Sequence, residues 1–305
     1  MKHITQYFLT TLLLFTAIFN IKHIEAAEQP LVTVTTSFLE DIVTQIAEDT
    51  VEIALIVPAG GDPHIYNASA RDLQNILEAD VVLYHGLHFE AQMAAILVDY
   101  GFAVTRNFSK DDLILVAADS QDVDPHYWFN IELYKQSVEE ARDILIETFP
   151  TQKDLYTTNA DNYLKQLDEL AKWIEEQLAV LPIEQRILVT PHDAFEYFAR
   201  AHDFIVYAPQ GISTESEVSN EQIIQTVQYI IDHQVPAIFL DTTSNPQAME
   251  KLQEGVQQKN AEVQVVGGEG MALFSDSLAP KGQANDNYID MYKHNISLIV
   301  QHLVR

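Results

Sequence analysis

The period of the hydrophobic positions changes repeatedly along the chain, and each change marks an element. "PLVTVTT" at 30–36 is a β-rich run, and "SFLEDIVTQIA" after it has helical spacing. "VEIALIV" at 51–57 reads as a strand that stops at "PAGGDPH". "SARDLQNILEA" puts Leu73, Ile76 and Leu77 on one helical face, "DVVLYHG" is the next strand, and "LILVAA" at 113–118 is another. "NIELYKQSVEEARDILIETF" is an amphipathic helix closed by Pro150. Strands and helices that alternate in this way predict a parallel sheet of βα units.

The rhythm breaks between Pro150 and Pro182, a stretch with no internal Pro or Gly. Apolar residues recur at Ala160, Tyr163, Leu164, Leu167, Leu170, Ala171, Ile174, Leu178 and Leu181. The spacing predicts one helix over 151–181 with a continuous apolar stripe, about 45 Å long at 1.5 Å per residue. The βα rhythm then returns. "RILVT" leads to "PHDAFEYFARA", "FIVYAPQ" to "GISTESEVSNEQIIQTVQYIIDH", "AIFLDTT" to "SNPQAMEKLQEGVQQ", and "EVQVVGG" to a loop with "LFSDSL". A closing helix is expected over 286–303. The expected fold class is α/β, with two (β/α) lobes of parallel sheet at 27–150 and 183–305 joined by one long helix at 151–182.

The first 26 residues stand apart. A Lys near the start, an apolar run over 7–19 and then "IEAAE" have the layout of a secretory signal cleaved after Ala26. The run is short for a membrane span, which needs about 20 apolar residues. There is no cysteine among the 305 residues, which excludes disulfides, Cys-ligated metal and Cys nucleophiles. It also removes the usual carrier of a lipid anchor, so a soluble periplasmic protein without one is expected. Asp and Glu number 45 against 17 Lys and Arg, a net charge of −28. Nucleic acid and anionic membranes are therefore poor partners, although a diffuse acidic surface is not itself a site.

Candidate chemistry begins with a repeated tripeptide. Asp-Pro-His occurs in "GGDPHIYNAS" at 60–69 and in "DVDPHYWFN" at 122–130. Proline stiffens the approach to each imidazole, at His64 and His126. His192 in "TPHDAF" and Asp276 in "FSDS" also follow predicted strands. Ligands of open α/β sheets gather outside the carboxyl ends of strands, so these four residues could converge between the two halves. Three imidazoles and a carboxylate suit one divalent first-row ion. Simpler roles exist for each: surface loop histidines, a helix-start His192, a capping Asp276. His85 and His88 in "YHGLHFE" are further cleft candidates, while His202, His233, His294 and His302 fall on helices or their ends. Trp128 and Phe129 read as core. Glu215 and Glu217 could support the site or belong to a solvated acidic loop. There is no His-Glu-x-x-His motif, and four protein donors leave no open position for an activated water, which argues against a metallohydrolase.

Taken in order, "GGDPHIYNASARDLQNILEADVVLYHGLHFE", "DPHYWFN", "VTPHDAFEYFAR", "GISTESE", "IFLDTTSNP" and "LFSDSLAPKGQANDNYIDMYKHN" resemble successive signatures of the zinc/manganese substrate-binding proteins of ABC importers, cluster A-I. The resemblance spans essentially the whole chain after the signal. It implies two lobes bridged by a single long helix, metal in the interlobe cleft, and His64, His126, His192 and Asp276 as its ligands. It further implies a monomeric receptor, not an enzyme, that delivers Mn²⁺ or Zn²⁺ to a membrane permease with modest lobe motion. Many members are lipid-anchored through an N-terminal Cys, which this chain lacks. Zinc-dedicated members often carry a His-rich loop before the second ligand, where this chain has only "AADSQDVDPH". That short loop, the Asp ligand and "GISTESE" resemble manganese-type members, while three imidazoles favour zinc thermodynamically. An adhesin or assembly protein on the same scaffold is the alternative function.

Overall fold

Four short strands build the sheet of the first lobe: β1 (Leu31–Val34), β2 (Glu52–Leu55), β3 (Val81–Tyr84) and β4 (Phe102–Ala103). They run parallel in the order β2-β1-β3-β4, with Val32 of β1 level with Ile53 and Val81. The computed structural model describes residues 29–305 except 118, 119 and 269, so the expected signal at 1–26 lies outside the described residues. Residues from Leu31 to Arg305 form one compact unit. No described helix is long and apolar enough to cross a membrane.

Helix α1 (Ser37–Ala47) follows β1 and buries Phe38, Leu39, Ile42, Val43 and Ile46 along one stripe, as its spacing requires. Helix α2 (Ala70–Glu78) starts at a reciprocal capping box between Ser69 and Asp72. Its apolar face differs from expectation. Ile76 goes inside, but Leu73 and Leu77 are 37% and 57% exposed, because a nine-residue helix at the rim offers the core little more than one turn. After α3 (Ala94–Tyr100) comes a second difference. Residues 113–117 of "LILVAA" do not form a strand. Leu115 makes only an isolated antiparallel bridge to Val123, and Leu115 and Val116 are exposed. The sheet ends at the two-residue β4, so this β-prone run finds no neighbour to pair with, and β-propensity has force only in such a context. His126 therefore arrives from a loop and not from a strand end.

Helices α4 (Ile131–Thr148) and α5 (Lys153–Leu178) follow. A 3₁₀ turn at Pro150–Gln152 separates them, so α5 has 26 residues, about 39 Å at 1.5 Å each. The second lobe holds β5 (Ile187–Val189), α6 (Glu196–His202), β6 (Ile205–Tyr207), α7 (Asn220–Asp232), β7 (Ala237–Phe239), α8 (Gln247–Gln258), β8 (Gln264–Val266) and α9 (Tyr288–Leu303). Its strands form two parallel pairs, β5-β6 and β7-β8, with β5 beside β7. Helix α6 begins five residues later than "PHDAFEYFARA" suggested, so His192 lies in the loop and not at a helix start.

Helix α5 joins the lobes by packing against α1, α4 and α9. A buried polar knot ties that junction. Asp41 on α1 accepts hydrogen bonds from the Tyr163 hydroxyl of α5 (2.9 Å), the Tyr288 N–H of α9 (3.0 Å) and Gln45 (3.1 Å). Tyr134 of α4 stacks on Tyr288 at 3.6 Å. Burial pushes the Asp41 carboxyl up, and these donors oppose the shift. Tyr163→Phe leaves that buried carboxylate one donor short, so urea unfolding should show a loss of about 1–3 kcal/mol with an unchanged slope.

Candidate metal centre

Each Asp-Pro-His builds the same local turn. Asp62 Oδ1 accepts the N–H of His64 at 2.9 Å, and Asp124 Oδ1 accepts that of His126 at 2.9 Å. An aspartate that bonds the backbone two residues on is an Asx turn, and the intervening proline stiffens it. The two aspartates then diverge. Asp124 Oδ1 also takes the Nδ1–H of His126 at 2.7 Å. The other oxygen of Asp62 reaches across the cleft to accept the hydroxyl of Thr214, in "GISTESE", at 2.6 Å.

His192 sits in the loop after β5, fully buried, with Nδ1 2.9 Å from Asp241 Oδ2 and 3.2 Å from Ser244 Oγ. Asp241 follows β7 and is held in turn by the N–H and hydroxyl of Ser244, at 2.7 and 2.9 Å. Asp276 comes from the loop after β8 and is fully buried.

The structure brings His64, His126, His192 and Asp276 together, with one ligand atom from each lying within 4.8 Å of the others. Asp276 oxygens are 3.3 Å from His126 Nε2, 3.2 Å from His192 Nε2 and 3.9 Å from His64 Nε2. The Nε2 atoms of His64 and His126 are 3.3 Å apart. Carboxylates on Nδ1 of His126 and His192 fix the proton there and turn the Nε2 lone pairs inward, the usual outer support of a metal-binding imidazole. His192 Nε2 and Asp276 Oδ1 are buried without a hydrogen-bond partner. Such orphans cost about 1–3 kcal/mol each in a dry interior, and a divalent cation among these donors would satisfy both.

Other candidates are excluded by their surroundings. His85 is buried but spends Nε2 on Thr36 (2.7 Å) and Nδ1 on the Tyr127 hydroxyl (3.0 Å). His88 is exposed. His202 pairs with Glu175, His294 with the Ala272 carbonyl and His302 with Gln264. Glu215 and Glu217 are solvated. Sequence reasoning missed Asp124 and Asp241 as the groups that orient the imidazoles, although Asp124 is the first letter of the second tripeptide. It also missed Phe89, whose ring stands edge-on to His64 at 4.9 Å. Trp128 and Phe129 are core residues, as expected.

Charge in the site is strongly coupled. Burial lowers the His64 imidazole to about 3. Burial pulls His126 the same way, but Asp124 and Asp276 outweigh it and lift the imidazole to about 9. For His192, Asp276 and Asp241 likewise overcome burial and raise it. Asp276 stays well below the usual carboxylate range despite its burial, because His192 and His126 face it.

Over residues 32–302 the chain matches the family described as the periplasmic component A of the zinc-uptake complex. It belongs to that family, the cluster A-I zinc/manganese substrate-binding proteins of ABC importers. Relatives include the zinc-binding protein TroA of Treponema pallidum, 34% identical over 95% of this chain and 94% of that one. Another is the manganese-binding lipoprotein MntA of Bacillus subtilis, 34% identical over 92% of each. A solved TroA structure superposes with a TM-score of 0.89 at 52% identity, covering 90% of this chain and all of that one. The Treponema pallidum TroA structure gives 0.87 at 33%, covering 91% and 100%. The α/β fold, with one long helix and the four-residue group in the cleft, is thus the fold of the family.

The charges set the pH dependence of ion binding. A folded-state value of about 9 at His126, against 6.5 for a free imidazole, keeps a proton on that ring at neutral pH, and a cation held by that ring would have to displace it. Zn²⁺ affinity should rise as pH goes from about 6.5 towards 9 and fall below that window, with protons released on binding. Calorimetry in buffers of different ionisation enthalpy measures both. Asp124→Ala removes the support of His126 and should weaken binding about 10–100-fold.

Proposed function

We propose that this protein captures one divalent transition-metal ion, Mn²⁺ or Zn²⁺, outside the cytoplasm and passes it to the membrane permease of an ABC importer. His64, His126, His192 and Asp276 are the ligands. The observation that carries this reading is the convergence of three imidazole Nε2 atoms on one buried carboxylate, with polar atoms left bare at the meeting point. Relatives named for zinc and for manganese binding support it. A signal at 1–26 cleaved after Ala26 would deliver the chain to the periplasm, with lobes at 27–150 and 183–305 on either side of a linking stretch at 151–182.

The donor set fits a carrier better than a catalyst. Four protein ligands fill a tetrahedral shell and leave no place for the activated water of a hydrolase. Phe89 and Trp128, fully buried beside His64 and His126, keep the centre dry. A dry site binds its cation through charge and direct coordination, and releases it only when the shell comes apart. No observation favours the adhesin or assembly role.

The test is a titration of residues 27–305 after stripping with a chelator, with Zn²⁺ and Mn²⁺ in competition and bound ion counted per chain. One ion per chain, much weakened by His192→Ala, is the expected result, and the competition ranks the two ions. No stoichiometric ion, or binding indifferent to His192, would sink the four-ligand receptor.

A further inference from the structure

The loop that carries Asp276 belongs to the second lobe by sequence but is fastened from the first. The indole Nε1–H of Trp128 donates to the Ser275 carbonyl at 2.9 Å. The N–H of Leu278 donates to Ser37 Oγ at 2.8 Å. Ser277 Oγ accepts the N–H of Gly60 at 2.7 Å and lies 3.1 Å from Ser37 Oγ. The residues just before and after Asp276 are thus tied to the turn that follows His126, to the start of α1 and to the loop that precedes His64. Gly60 holds a φ of +82°, which suits glycine and leaves its N–H free to aim across the cleft.

Second-lobe ties reach the same loop mainly upstream of the carboxylate, where Leu273 exchanges backbone hydrogen bonds with Leu240 and Thr242. The Thr243 hydroxyl is 2.9 Å from Ser275 Oγ and 3.4 Å from Asp276 Oδ2, and Asn295 of α9 brackets the backbone of Phe274. His192 is the opposite case. Among the described residues its hydrogen bonds run to Asp241, Ser244, Thr190 and the neighbouring backbone, all of the second lobe.

Trp128 is well placed for this task. It is fully buried, stacked on Phe38 at 5.0 Å and packed against Phe89 at 4.8 Å and His126 at 5.3 Å. Packing fixes the indole plane, so the direction of its one donor is set by first-lobe neighbours.

Building on the receptor reading, we infer that Trp128 and Ser37 are positioning residues that hold Asp276 in the first lobe. His64, His126 and Asp276 then form a standing three-donor half-site, and His192 is the donor that closes it and is withdrawn on release. Lobe separation then breaks the contact of His192 with the ion, together with cleft bonds such as Asp62 to Thr214 and those of Thr243 to Ser275 and Asp276.

A double-mutant cycle tests this, with Zn²⁺ as the probe ion. Trp128→Phe keeps an aromatic ring and removes the N–H. It should weaken Zn²⁺ binding about ten-fold in the otherwise native chain and have no effect beside Asp276→Ala. Ser37→Ala, a smaller change, should show the same dependence on Asp276 and serves if the indole variant does not fold. His192→Ala should still bind one Zn²⁺, with its loss of affinity expressed as faster release to a chelator in stopped flow. Equal weakening by Trp128→Phe and Ser37→Ala in both backgrounds would mean general packing and overturn the inference alone. Wild-type protein without stoichiometric Zn²⁺ would overturn the receptor reading and this inference with it.

Discussion

The site is built on one constraint: several imidazole lone pairs and a carboxylate are forced together where they are buried from solvent. Left to themselves, Nε2 of His64 and Nε2 of His126 at 3.3 Å would share a proton or repel. Asp276 would face two imidazoles with an oxygen unsatisfied. Such an arrangement is stable only if a cation, or protons standing in for it, occupies the middle. The raised pKa values of His126 and His192 and the lowered one of Asp276 describe that substitution. With the proposed ligands, metal and protons would compete for the same electron pairs, which would link capture to pH.

The scaffold has to hold these groups against their mutual repulsion, and it does so twice over. Locally, an Asx turn stiffened by proline aims His64 and His126. Carboxylates then lock two of the rings, Asp124 of the same turn for His126 and the distant Asp241 for His192. The first tripeptide is the exception, since Asp62 spends its second oxygen on Thr214 across the cleft. One motif therefore serves two ends, a ring support at the second site and a cross-lobe contact at the first.

The aromatic packing connects the site to the helix that joins the lobes. Trp128 and Phe129 lie two and three residues after His126, and their carbonyls accept the hydroxyls of Tyr288 and Tyr292 on α9. Tyr288 in turn reaches Asp41 and, through it, Tyr163 of α5. The turn that presents His126 is thus braced on the long helix through buried, directional bonds. A junction of this kind resists wide opening and suits a receptor in which withdrawal of one ligand is enough.

By itself the sequence determined what depends on near neighbours. Helical stripes, the long helix between Pro150 and Pro182, the Asx turns and the placement of His64, His192 and Asp276 in loops after strands follow from interactions a few residues apart. Tertiary structure decided the rest. Residues 113–117 are not a strand because, among the described residues, no partner lies beside β4, and Leu73 and Leu77 stay exposed because only the Ile76 side of α2 meets the core. His85 looked eligible until Thr36 and Tyr127 occupied both of its nitrogens. Asp241 meets His192 over a separation of 49 residues, and Trp128 meets Ser275 over 147. Pairings at such distances leave no periodic trace along the chain. They are chosen by how the lobes close, when each buried polar group must find a partner within hydrogen-bond reach.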